Sequence, residues 1–103
     1  MPIYQTAHYR VKRDAVDKVK AAIEAFVAYV AEHEPRTRMY ASWQQLDDPT
    51  RFVHLFIFED EAAHQTHGAS DAVRRFETIY QPELVDDPVI FTDYQLVATN
   101  RAT

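Results

Sequence analysis

The run Phe52-Val53-His54-Leu55-Phe56-Ile57-Phe58 limits the fold more than any other stretch of the chain. Aromatic, branched and leucine side chains suit a pleated surface, and they fill every position but one. A strand sends alternate side chains to opposite faces. Phe52, His54, Phe56 and Phe58 therefore share one face, and Val53, Leu55 and Ile57 share the other. Both faces are apolar, so both need shielding from water. The chemistry then turns helical within two residues, through Glu59-Asp60-Glu61-Ala62-Ala63-His64-Gln65-Thr66-His67-Gly68-Ala69-Ser70. Asp60 stands where an N-cap belongs and Glu61 suits the positive end of the helix. Gly68, the only glycine, interrupts after two turns. Ser70 can cap a continuation from Asp71 to Tyr80, with Val73, Phe76, Ile79 and Tyr80 as its apolar stripe.

The remaining segments supply the rest of a sheet. Ile3 to Val11 alternates, with Ile3, Ala7, Tyr9 and Val11 on one face and Tyr4, Thr6, His8 and Arg10 on the other. Asp14 is the expected N-cap of the following helix, whose stripe is Val16, Val19, Ile23, Phe26, Val27 and Val30 and which Pro35 ends near His33. A second strand is expected over Arg38 to Leu46, a turn over Asp47 to Thr50, and a last strand over Val89 to Ala98. The order β-α-β-β-α-β is the α+β, ferredoxin-like arrangement, a four-stranded antiparallel sheet with its helices on one face. Helices on one side leave the third strand's other face uncovered. A homodimer formed through that sheet face is the expected second cover.

Length and charge narrow the function. The 103 residues form one expected domain, with a polar, loose tail from Thr99. A net charge of −5 without a basic cluster argues against nucleic acid as a partner. The absence of cysteine excludes thiolate metal sites, disulfides and cysteine nucleophiles. No run approaches the ~18 apolar residues of a membrane span. No basic-then-apolar leader pattern opens the chain, so a cytoplasmic, membrane-free protein is expected. One glycine cannot build a phosphate loop or a dinucleotide fingerprint, so no cofactor is expected. His64 and His67 have a spacing that could chelate a metal with His54 or Glu59, but that spacing is common, and no metal site is expected.

Phe58-Glu59 at the strand end, Asp60 and Ala63 opening the helix, His67 four residues on and Ser70 three further form a short pattern. Together with the order and length of the elements, it resembles the antibiotic biosynthesis monooxygenase family over nearly the whole chain. The resemblance implies a dimeric α+β barrel and a pocket in each subunit between helices and sheet. It implies a cofactor-independent monooxygenase that uses dioxygen to turn an electron-rich aromatic (a phenol, hydroquinone or anthrone-type polyketide) into a quinone. The heme-degrading branch uses Asn, Trp and His at positions matching Ala7, His67 and Glu77, and all three departures argue against heme degradation. Pocket positions of the polyketide-oxidising branch match His54, Phe58 and His64, with Trp43 near the corresponding place on the second strand. His54 and His67 are the candidate catalytic residues, and Trp43, Phe56, Phe58, His64 and Tyr80 the candidate substrate contacts. Bland roles stay open beside these: His54 as a core histidine bonded to a carbonyl or tyrosine, His67 as packing at the helix break, the aromatics as core. A non-catalytic ligand-binding or stress-response module, or an isomerase or cyclase, fits the same fold.

Overall fold

The computed structural model describes residues 1–101. The strands are β1 (Ile3–Arg10), β2 (Thr37–Gln44), β3 (Arg51–Phe58) and β4 (Ile90–Tyr94). The helices are α1 (Val16–His33), α2 (Glu61–Gly68) and α3 (Asp71–Tyr80). The strands form one antiparallel sheet in the order β2-β3-β1-β4. This is the ferredoxin-like arrangement, with β1 and β3 at the centre and the second helix broken into α2 and α3. Asp60 accepts from the Ala63 amide at 2.9 Å and Ser70 from the Val73 amide at 3.1 Å, so each half carries its own cap.

The helices cover the face that carries Ala7, Tyr9, Phe52, His54, Phe56 and Phe58, all of them buried. Val19, Ile23, Phe26 and Val30 of α1 meet Tyr9, Phe52 and the α3 residues Ala72, Phe76 and Tyr80 in one apolar cluster. Burial of each large side chain there stabilises the fold by roughly 1.5–3 kcal/mol. On the opposite face Val53 and Leu55 are only half-buried, while Ile57 is buried within the chain.

Two local expectations change. Asp14 is exposed and does not cap α1. The chain enters the helix through a 3-10 turn at Arg13–Ala15, where the Ala15 amide donates to the Lys12 carbonyl at 3.0 Å. The tighter turn places Asp14 inside a helical stretch rather than at the extended position of an N-cap. β4 ends at Tyr94, not Ala98, because Tyr94 pairs with Tyr4 and its neighbour β1 begins only at Ile3. The residue before that is Pro2, which has no amide to continue the ladder. Of the expected tail, residues 99–101 lie in neither helix nor strand, and 102–103 lie outside the described residues.

β2 carries a bulge. Thr37 pairs with Phe58 but Met39 with Ile57, so Arg38 is one residue extra. An insertion of one residue reverses which side chains face the helices. Beyond the bulge, Tyr40 lies opposite Phe56 on the helix-covered face, and Trp43 lies opposite Val53 on the other.

Candidate active site

A cavity of about 460 Å³ lies between the covered sheet face and helices α1, α2 and α3. This is the size of a small-ligand site, and its walls are mostly apolar, as such sites usually are. His54, Phe56, Phe58, His64, His67 and Tyr80 all line it. Trp43 does not. It is 52% exposed on the other sheet face, beside a separate hollow shared with His8, Val53 and Tyr94. The Arg38 bulge is the reason.

β3 holds His54 at the centre of the sheet, 1% exposed. Tyr9 Oη lies 2.8 Å from His54 Nε2, and Tyr40 Oη lies 2.8 Å from His54 Nδ1. Both ring nitrogens are thus occupied, and the imidazole reaches a ligand only through a tyrosine. Burial among aromatic rings pushes the imidazole pKa down to about 4. Burial likewise raises the pKa of Tyr9 and of Tyr40. At neutral pH all three groups are uncharged.

His67 is placed differently. It sits one residue before the end of α2, 8% exposed, with its ring 5.1 Å from that of Phe58 and 5.8 Å from that of Tyr40. Its Nδ1 lies 2.8 Å from Glu34 Oε1. Glu34, also 8% exposed, follows the last residue of α1. Its Oε1 accepts a further bond from Thr37 Oγ1 at 3.0 Å, while Oε2 is buried without a partner. A carboxylate accepts only, so His67 Nδ1 is the donor, and in the neutral ring Nε2 carries the lone pair. The pair therefore offers a basic nitrogen, with a carboxylate behind the ring to balance a positive charge. His64 stands 35% exposed at its side chain, 3.6 Å from Glu61 Oε1, with its ring 5.0 Å from that of Phe58. Among the described residues, no group of three His, Asp or Glu side chains is placed to hold a metal ion.

Sequence reasoning missed Glu34, and it allowed a tyrosine partner for His54 without identifying Tyr9 and Tyr40. Glu34 had a signal. An acidic side chain at a helix C-terminus faces the negative end of the dipole, which is unfavourable unless a cation or donor meets it. The tyrosines had none, because which side chain on a neighbouring strand meets a given ring depends on register.

Solved structures share this fold. A candidate antibiotic biosynthesis monooxygenase from Bacteroides thetaiotaomicron is 13% identical with a TM-score of 0.89, covering 99% of this chain and 95% of its own. One from Nitrosomonas europaea is 19% identical with a TM-score of 0.85, covering 93% of this chain and 90% of its own. A Mycobacterium tuberculosis protein is 18% identical with a TM-score of 0.85, covering 98% of this chain and 100% of its own. No curated protein is similar enough to count as a match. At these identities the structures establish the fold alone. The family model described as antibiotic biosynthesis monooxygenase matches residues 2–78, and with most of its length inside that match the chain belongs to the antibiotic biosynthesis monooxygenase family.

Proposed function

We propose that the protein is a cofactor-independent monooxygenase that oxidises an electron-rich aromatic to a quinone in the 460 Å³ cavity, with His67 as the base. Family membership supports a monooxygenase-like function in general. The observation that carries the finer reading is the 2.8 Å contact between His67 and the buried Glu34 carboxylate. It leaves Nε2 as the free basic nitrogen of a ring that lines the cavity. His67 Nε2 takes the proton of a phenol, and Glu34 pairs with the imidazolium that results. The phenolate gives one electron to dioxygen, and the superoxide so formed couples to the ring carbon para to the oxygen. Protonated by the imidazolium, the adduct is a hydroperoxide. It loses water as the second carbonyl forms. One oxygen atom enters the quinone and the other leaves in water, so phenol plus dioxygen balances quinone plus water. The ionised aromatic is itself the reductant, which is why the scheme asks only for a base and a dry, aromatic enclosure. His54, with both nitrogens engaged, is a structural partner of the tyrosines in this scheme.

The same reading includes a homodimer closed over the sheet face that bears Val53, Leu55, Ile57, Met39 and Trp43. Met39 and Trp43 are 44% and 52% exposed there, and no helix covers them.

Oxygen uptake with anthrones and para-unsubstituted phenols tests the function. The parent consumes oxygen, and His67→Ala lowers the rate by about 10²–10⁴-fold, the usual worth of a positioned base. Equal rates in parent and variant would remove His67 from the chemistry. Conversion without oxygen would favour an isomerase, and saturable binding without product would favour a binding module.

A further inference from the structure

One hydrogen-bond network in the cavity has no part in the base chemistry of His67. It is the chain Tyr9–His54–Tyr40, closed by two contacts of 2.8 Å. A neutral imidazole has one N–H and one lone pair. The three side chains therefore hold three polar hydrogens, two O–H and one N–H, and the two contacts use two of them. In either tautomer one hydroxyl hydrogen is left over, on the tyrosine that accepts from the imidazole. Burial keeps the imidazole neutral, with its pKa near 4, and keeps both phenols protonated, so the count holds at neutral pH.

Position decides which tyrosine carries the surplus hydrogen. Tyr9 borders the same cavity, but it is 6% exposed, with its ring stacked on those of Phe52 at 5.8 Å and Tyr80 at 5.1 Å. Tyr40 is only half-buried, and its ring is 5.8 Å from that of His67. A buried donor without an acceptor is unfavourable, so the surplus falls where a ligand can reach it. We infer that Tyr9 donates to His54 Nε2, His54 Nδ1–H donates to Tyr40 Oη, and the Tyr40 hydroxyl hydrogen binds an oxyanion of an aromatic ligand. Tyr40 is then a specificity determinant. The cavity prefers a phenolate or enolate oxygen beside Tyr40, with the ring held among Phe26, Phe56 and Phe76. The inference rests on the reading above only in taking this cavity as the binding site.

Equilibrium binding of 4-nitrophenol and nitrobenzene, followed by calorimetry and by the absorption band of 4-nitrophenolate, tests it without any turnover. The parent is expected to bind 4-nitrophenolate about 10–100-fold more tightly than nitrobenzene, the worth of a hydrogen bond to a charged acceptor. Tyr40→Phe is expected to abolish that preference while nitrobenzene still binds. Tyr9→Phe is expected to keep most of it, because His54 can still donate to Tyr40. Equal affinity of the parent for the two probes, binding of neither, or a preference that survives Tyr40→Phe would each overturn the assignment. A preference for 4-nitrophenolate in a protein that consumes no oxygen with any phenol would sink the monooxygenase reading and leave this one standing.

Discussion

His54 shows what burial does to a single titratable residue. In the unfolded chain its imidazole takes up a proton near the ordinary value of about 6.5. In the folded protein it does so only near pH 4, because the charged form is excluded from an aromatic interior. Between these values the unfolded chain holds the extra proton. Stability is therefore full above about pH 6.5 and falls as pH drops toward 4. The His54 share of that loss is up to roughly 3 kcal/mol at the low end. Urea unfolding of the parent and of His54→Gln at pH 7 and pH 4 measures it, as the fall shown by the parent in excess of the variant. No excess would mean that water or a counter-charge reaches the imidazole.

At the scale of elements, the break between α2 and α3 leaves two short helices that both line the cavity. It depends on caps, since a helix of two or three turns gains little from propensity alone. Ser70→Ala removes the bond to the Val73 amide and is expected to cost about 1 kcal/mol, read as a lower urea midpoint with an unchanged slope. The start of α2 is tied to the strand beside it. Arg36 pairs with Glu59 at 2.7 Å and also with Asp60, at exposed positions where such pairs add little stability. The bulge at Arg38 matters more, because it sends Tyr40 rather than Trp43 into the cavity.

At the scale of the whole molecule, the uncovered sheet face is the proposed dimer surface. Leu55 sits near its middle, opposite Ala41 on one side and Thr6 on the other. A charge there faces the twin chain rather than the subunit's own core. Leu55→Lys is expected to shift the particle from twice 12.0 kDa to 12.0 kDa in sedimentation, with the far-ultraviolet spectrum retained. A parent that already sediments as a single chain would remove the dimer from the proposal.

The sequence alone determined the parts that depend on periodicity and local capping. The alternation in β3 placed His54 with Phe52, Phe56 and Phe58. The stripe of α1 placed Val19, Ile23, Phe26 and Val30 inside, and Asp60 and Ser70 marked the two helix starts. These signals lie within a few residues of one another, so the chain states them directly. The facing of Tyr40 and Trp43 was decided only by tertiary structure, because one extra residue in β2 reverses every position after it. The same holds for the partners of the two histidines. Tyr9 is 45 residues from His54 and Glu34 is 33 residues from His67. Hydrogen bonds over such separations follow from how the sheet and helices close on one another, and no local pattern encodes them.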